Sequence, residues 1–328
     1  MDRPNSGVPA PPPEDDEFDL IAALRARFER EGGAVAPGDL GIGDDAAVVT
    51  LPGGDRVVLA TDLVVAGVHV DPGVSSPEDV GWKALMVAVS DLGAMGTGAS
   101  YALLSVVAPR GYPVRRLGVG VAGAAAAVGC RVVGGDLSAG DLLVVSVTAV
   151  GPVPDDGTPL LTRSGAAAGD HLLVTGPLGA SAAGLRLLTG PGGPDGLQVP
   201  AALAGAHRRP VARLTEGAVA RRAGASAAVD VSDGLVADVV HLAQASGVGL
   251  ALAVDPVVVA DGATRDDALG GGEDYELVVA TPDPDRLRGA FDRHGLRVPL
   301  EVGTCTGVPG EFTLDGGPLP TGGWRHRF

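Results

Sequence analysis

Aspartate recurs at the junctions between apolar runs and turns in five separate segments of this chain. Gly41-Ile42-Gly43-Asp44-Asp45-Ala46-Ala47-Val48-Val49 carries two adjacent acids into a β-branched run. Thr61-Asp62 follows the apolar stretch 56–60, and Ser90-Asp91-Leu92-Gly93 follows an apolar helical pattern. Gly134-Gly135-Asp136 follows Arg131-Val132-Val133, and Asp230-Val231-Ser232-Asp233-Gly234 follows Ala227-Ala228-Val229. One aspartate in a turn is ordinary turn chemistry. The same arrangement in five places sets out an oxygen-rich site at the ends of several elements. Hard divalent cations take such ligands, and Mg²⁺ is commonly shared between a few carboxylates and substrate phosphates.

Length and charge narrow the classes. A chain of 328 residues buries a large core and divides into two domains. The formal charge of −16 argues against nucleic acid or an anionic membrane as partner. It would also repel a phosphate substrate unless cations intervene, which acid clusters holding Mg²⁺ would provide. No apolar run reaches the length of a membrane span and no signal-like segment opens the chain. Cys130 and Cys305 show no metal-ligand spacing and read as buried, reduced thiols, consistent with a cytoplasmic protein.

Taken in order, residues 1–17 form a Pro-rich acidic arm, and 18–31 an amphipathic helix with Phe18, Ile21, Leu24 and Phe28 at helical spacing. Strands are expected over 46–51, 57–60 and 64–70, the first two split by a Pro52-Gly53-Gly54-Asp55 hairpin turn. Ser76-Pro77-Glu78-Asp79 starts a helix running to about residue 90, which delivers Asp91 at its end. Lys83, the only lysine, reads as salt-bridged or on the surface. A strand over 101–107 and a helix over 114–128 follow. The glycines of Gly118-Val119-Gly120-Val121-Ala122-Gly123 match a dinucleotide fingerprint, but no strand precedes them, so close helix packing is the better reading. Gly134-Gly135-Asp136 is expected to end one strand, and 142–150 to form the next. Gly151-Pro152-Val153-Pro154 marks a boundary between an N-terminal domain, 18–150, and a C-terminal domain, 151–328.

Beyond it, strands are expected at 171–175, 227–229 and 250–254, and helices at 180–188, 211–223 and 235–245. The segment 190–196 reads as a mobile loop. Asp230 to Gly234 sits where a strand meets a helix N-terminus, a place that favours phosphate. The loop Gly270-Gly271-Gly272-Glu273-Asp274-Tyr275-Glu276 feeds another strand, with Asp274 and Glu276 expected to face solvent. Trp324, His326 and Phe328 close the chain as an aromatic cluster.

These motifs, in this order, resemble the thiamine-monophosphate kinase family of the aminoimidazole-ribonucleotide-synthetase-like superfamily. The resemblance rests on 41–47, Thr61-Asp62-Leu63-Val64 running to Gly67-Val68-His69, Ser90 to Gly96, and Gly134-Gly135-Asp136. It continues through Leu161-Thr162-Arg163-Ser164-Gly165, Asp230 to Leu235, and Gly271 to Leu277, and covers roughly 18–328. It implies ATP-dependent phosphorylation of thiamine phosphate with several Mg²⁺ ions. It also implies a two-domain α/β (α+β) fold: an N-terminal mixed-sheet domain that pairs with its copy in a homodimer, and a C-terminal α/β domain. By motif position, Asp45, Thr61, Asp62, Asp91, Asp136, Asp230 and Asp233 would bind metal. Gly135, Asp136, Arg163 and Ser232 would contact the nucleotide, with Arg163 and Asp91 supporting transfer. His69, Glu273 and Trp324 would line the thiamine phosphate site. Ala60 departs from the family's Ser or Thr, so a ligand there would be its carbonyl or a water. Asp44 reaches a metal or only shapes the turn.

No Walker A loop is present, since Lys83 follows tryptophan. Sister Mg²⁺–ATP enzymes of the superfamily with another acceptor remain as alternatives. So does a non-catalytic metal- or nucleotide-binding regulatory module, although Arg163 argues against a pure metal sensor.

Overall fold

The computed structural model describes residues 17–190, 199–255 and 258–324. The arm up to residue 16, most of the 190–196 loop, and His326 with Phe328 lie outside the described residues. Among the described residues, 36–324 form one compact unit and 17–35 belong to another. In the latter, α1 (Glu17–Glu31) carries i,i+4 ion pairs Arg25–Glu29 and Arg27–Glu31. Among the described residues no helix is long and apolar enough to cross a membrane.

The first sheet contains β1 (Ala47–Thr50), β2 (Arg56–Val65), β3 (Tyr101–Ala108), β4 (Arg131–Ala139) and β5 (Val144–Pro152), in the order β1-β2-β5-β3-β4. The Pro52–Asp55 turn closes the β1–β2 hairpin with Thr50 opposite Arg56. The break expected between 60 and 64 does not occur. β2 runs through it as one ten-residue strand, because Thr61, Asp62 and Leu63 pair continuously with β5. Alternation then puts Ala60 and Asp62 on one face and Thr61 on the other. Nor does β4 end at Gly134-Gly135-Asp136. It passes through a register irregularity in its parallel pairing with β3, where a Cβ on Gly135 would lie 1.6 Å from the Leu104 carbonyl oxygen.

Two helices cover one face of this sheet. α2 (Pro77–Ala94) begins at a capping box: Ser76 Oγ accepts from the Asp79 N–H at 3.2 Å, and Asp79 Oδ2 accepts from the Ser76 N–H at 3.0 Å. It continues past Ser90 to Ala94, which places Asp91 in its last turn. α3 (Val114–Val128) joins β3 to β4 and packs against α2. A Cβ on Gly120 would sit 1.9 Å from the Glu78 carbonyl oxygen, and one on Gly81 2.1 Å from that of Leu117. The glycines that mimic a dinucleotide loop include one that lets two helix backbones touch.

The second sheet has seven strands, β6 (His171–Val174), β7 (Ala227–Asp230), β8 (Gly249–Leu252), β9 (Leu277–Thr281), β10 (Leu300–Thr306), β11 (Phe312–Leu314) and β12 (Gly317–Pro318). Their order is β12-β11-β8-β10-β6-β9-β7. Leu172 and Val174 face one apolar cluster and Leu173 another, so the sheet is buried on both sides. Among the described residues six helices accompany it: α4 (Ala180–Thr189), α5 (Ala201–Arg208), α6 (Leu214–Arg222), α7 (Leu235–Ser246), α8 (Arg265–Gly270) and α9 (Pro284–Arg293). The helix expected over 211–223 runs from Leu214 to Arg222, and Pro210 helps end α5 before it.

α2 binds the two sheets together. It packs on β2 and β5 and also on α6 and β7, with a Cβ on Gly217 falling 1.8 Å from the Gly93 carbonyl oxygen. Tyr275, from the loop before β9, is 5% exposed within the core of the first sheet. Among the glycines of α3, a Cβ added at Gly118 would meet nothing within 4 Å, unlike one at Gly120. Gly120→Ala should therefore destabilise the fold by about 1–3 kcal/mol through overpacking. Gly118→Ala should stabilise it by about 0.5–1 kcal/mol through helix propensity. Denaturant unfolding of both variants checks the contrast.

Candidate active site

Three carboxylates from distant parts of the chain converge where the two sheets meet. Asp45 comes from the turn before β1, Asp91 from the last turn of α2, and Asp230 from the end of β7; one oxygen of each lies within 4.8 Å of the others. Asp62 on β2 hydrogen-bonds Asp91, and the Asp233 charge bears on Asp62. Ser90 Oγ donates to Asp230 Oδ2 at 2.6 Å.

Arg163, from the segment joining the two sheets, lies against this cluster. Its guanidinium donates to Asp45 Oδ1 from Nε at 2.8 Å and from Nη2 at 2.5 Å. Its backbone N–H meets both Asp44 oxygens at 3.1 Å. Asp44 thus anchors the arginine segment and shapes its own turn by accepting from the Asp45 N–H. The 232–234 turn is held from behind by Asp238 of α7, whose Oδ2 accepts from the N–H groups of Asp233 and Gly234.

A second group lies alongside. The Glu273 N–H donates to the Ser232 carbonyl at 2.8 Å, and the Trp324 N–H to that of Asp233 at 3.0 Å. Trp324 is 53% exposed. Glu273 pairs with Lys83 Nζ at 2.7 Å, and the same ammonium donates to the His69 carbonyl at 3.0 Å. His69, Glu273 and Lys83 are thereby brought together, and Trp324 and Ser232 are tied to the neighbouring turn.

Two expected ligands stand apart. The Thr61 hydroxyl, on the face of β2 away from Asp62, bonds to the Val147 carbonyl and to Thr148 Oγ1. Across the sheet Asp62 opposes Val147, Val147 opposes Leu104, and Leu104 opposes Gly135. Gly135 therefore shares the Asp62 row at a distance of about 14 Å, three strand spacings. Asp136 falls in the row of Ser105, Ser146 and Leu63, on the opposite face, and is exposed on the edge strand.

Other positions differ from expectation in burial. Lys83 is 1% exposed and deep in α2. Glu276 is buried, accepting from Arg213 and from Thr175, and Asp274 accepts from the N–H groups of Gly179 and Ser181. Sequence patterns alone do not assign Ser90, Asp238 or His207, whose Nδ1 lies 3.4 Å from Glu273 Oε2, to the site. Ser90 adjoins Asp91, and Asp238 lies one turn into the helix after Asp233, so a local signal exists for both. His207 has none.

The chain matches family models along most of its length: "AIR synthase related protein, N-terminal domain" over 43–153 and "AIR synthase related protein, C-terminal domain" over 167–315. A thiamine-monophosphate kinase of Mycobacterium tuberculosis is 40% identical over 285 residues, covering 82% of this chain and 81% of the relative. One from Salmonella typhimurium is 36% identical over 332 residues, covering 94% and 96%. The chain belongs to the thiamine-monophosphate kinase family. A solved structure described as "AaThiL complexed with AMPPCP and TMP" aligns with a TM-score of 0.79 at 33% identity, covering 95% of this chain and 97% of that one.

The electrostatics of this family member show what its site can hold. Burial raises Asp91 well above the usual carboxylate range, and the charges of Asp62, Asp230 and Asp45 add to the effect. Burial and the Asp45 charge push Asp230 to about 7. Burial raises Asp62 to about 6, and burial with the Asp45 charge raises Asp44 to about 6. Burial opposes the charge on Arg163, but the Asp45 carboxylate outweighs it and keeps the guanidinium protonated. One cation thus faces several buried acids, and Asp45 Oδ2 has no hydrogen-bond partner among the described residues. An all-oxygen, under-compensated cluster of this kind fits a hard divalent cation.

Acids whose native pKa is raised hold extra protons in the folded state. Their contribution to stability is therefore greatest near pH 4 and declines as pH rises through about 6 to 7. A divalent cation replaces those protons, so added Mg²⁺ should raise Tm more near pH 8 than near pH 5. Thermal melts with and without Mg²⁺ at the two pH values test this. Equal gains at both would count against a cation in the cluster.

Proposed function

We infer that this chain transfers the γ-phosphoryl group of ATP to thiamine phosphate, giving thiamine diphosphate and ADP. The observation that carries the reading is the partly buried Asp45–Asp91–Asp230 cluster beside Arg163, in a chain aligned over most of its length with thiamine-monophosphate kinases.

No residue has to act as nucleophile. An oxygen of the substrate phosphate attacks the γ-phosphorus in line, the bond to the β–γ bridging oxygen breaks, and ADP leaves with that electron pair. The task of the protein is to position two polyanions and offset their charge. Arg163 supplies a fixed positive charge, held in place through its backbone by Asp44. Asp45, Asp62, Asp91, Asp230 and Asp233 would hold Mg²⁺ in the cluster, whereas Thr61 and Asp136, on the opposite face of the first sheet, would have to ligate a separate ion. Bound Mg²⁺ would offset the negative charge of the phosphates during transfer. Gly135 and Ser232 would join Arg163 at the nucleotide; Asp136, turned to the opposite face, would not reach it from this side of the sheet. His69, Glu273 and Trp324 would receive the thiamine end, where an exposed indole suits stacking on a flat cationic ring.

A homodimer belongs to the same reading. Leu63, Tyr101, Leu103 and Val107 share the uncovered face of the first sheet and are 52%, 46%, 45% and 37% exposed. Beside them, edge strand β4 exposes Val133 and Leu137. An open apolar face next to an unpaired strand edge favours a second copy of the chain. Thr61 and Asp136 belong to this face. A cytoplasmic setting accords with two buried free thiols.

A coupled assay for ADP, with and without thiamine phosphate, tests the reaction. ADP that appears only with thiamine phosphate, together with thiamine diphosphate, is the expected result; another acceptor would move the chain to a sister activity. Asp91→Asn, which removes one charged ligand and little volume, should lower kcat by roughly a hundredfold or more while leaving the fold intact. Sedimentation should show a dimer, and Leu103→Glu should shift it toward monomer; a wild-type monomer would remove the homodimer.

A further inference from the structure

The only lysine in the chain, Lys83, is buried to 1% exposure in α2, at the junction of the two sheets. Burying an ammonium is costly unless it is paired and hydrogen-bonded. Here both conditions are met by residues expected to line the substrate site. Nζ lies 2.7 Å from Glu273 Oε1 and 3.0 Å from the His69 carbonyl oxygen. His207, whose side chain is 2% exposed, faces the other carboxylate oxygen, with Nδ1 3.4 Å from Oε2. Glu273 keeps 22% of its side chain exposed, so it can be reached from outside while both of its partners are sealed.

The backbone around Glu273 is itself unusual. Glu273 has φ +66 and Tyr275 φ +52, left-handed conformations that are uncommon for residues with a Cβ. Such strain persists where surroundings over-determine it, typically at functional sites. The anchors are visible: Glu273 N–H to Ser232, Tyr275 N–H to Val231, and Asp274 to the N–H groups of Gly179 and Ser181. Burial alone would raise the Glu273 carboxyl, but Lys83 and His207 hold it below its ordinary value.

We propose that Lys83 is a positioning residue for thiamine phosphate: it ties the His69 turn of one half to the Glu273 carboxylate of the other, so that an ionised, oriented Glu273 meets the cationic end of the substrate. This rests on the reading that His69 and Glu273 receive that substrate. Lys83 itself, sealed behind both, touches neither substrate nor the reacting phosphates.

Lys83→Met keeps the length of the side chain and removes the charge. The KM for thiamine phosphate should rise about tenfold or more, with kcat and the KM for ATP within about twofold. Adding Glu273→Gln to Lys83→Met should raise KM no further than Glu273→Gln alone, because one acts through the other. A lowered Tm with unchanged KM would mean that Lys83 is structural only and would overturn the proposal, as would additive effects in the double variant. Should Lys83→Met fail to fold, Lys83→Arg serves instead. It keeps the charge but displaces the carboxylate, and the same selective rise in KM, of about threefold or more, is required. A wild-type protein inactive on thiamine phosphate would remove the underlying reading, a result distinct from an active wild type with an unaffected variant.

Discussion

Repulsion among buried carboxylates is the constraint that the rest of this structure accommodates. Two like charges 4 Å apart oppose each other by about 4 kcal/mol at an effective dielectric of about 20. Asp45, Asp91 and Asp230 meet at such distances, with Asp62 bonded to Asp91 and, among the described residues, Arg163 as the direct counter-charge. Each acid arrives from a different element, so the cluster exists only once both sheets are docked on α2. Docking is in turn enforced by a contact that tolerates no side chain, Gly217 against Gly93, while Gly120 against Glu78 fixes α3 on α2 in the same way. Tight apolar packing over a wide area is what balances a locally unfavourable charge arrangement. The raised pKa values of Asp62 and Asp230 express the same opposition in proton affinity.

Local signals in the sequence make much of this legible. The Ser76-Pro77-Glu78-Asp79 capping box marks the start of α2, and the limits of α3 follow from its periodicity. The aspartates at element ends are visible because turn chemistry and metal chemistry use the same residues. The departures come from interactions between distant parts of the chain. Gly134-Gly135 reads as a stop, yet pairing with β3 carries β4 straight through it, because glycine also lets a parallel neighbour approach closely. Thr61 reads as a companion of Asp62, but an unbroken strand turns the two to opposite faces. Lys83 reads as salt-bridged or on the surface; the salt bridge forms, but nothing within α2 reveals that its partner lies 190 positions later in Glu273 or that the lysine is sealed in the core. Glu276 reads as solvent-facing until Arg213 and Thr175 are brought beside it.

The distribution of charge gives those non-local pairs their meaning. A chain of net charge −16 that is to handle two phosphate-bearing substrates must keep its acids from facing phosphate directly. The fold segregates the acids by task. The deep cluster faces inward on itself, where protons or a divalent cation must neutralise it. Arg163 is the positive group beside it, tethered by Asp44 through the backbone so that its guanidinium is not the only point of attachment. Glu273 is the exception, an acid held ionised at the edge by Lys83 and His207. In the proposed reaction the substrate itself carries both signs, an anionic phosphate and a cationic ring. A site that places metal-binding acids and Arg163 at one end and an ionised Glu273 at the other can orient such a molecule by charge alone. A phosphate substrate lacking the cation would gain the first contact and forfeit the second, so discrimination resides at Glu273 and in whatever keeps it charged.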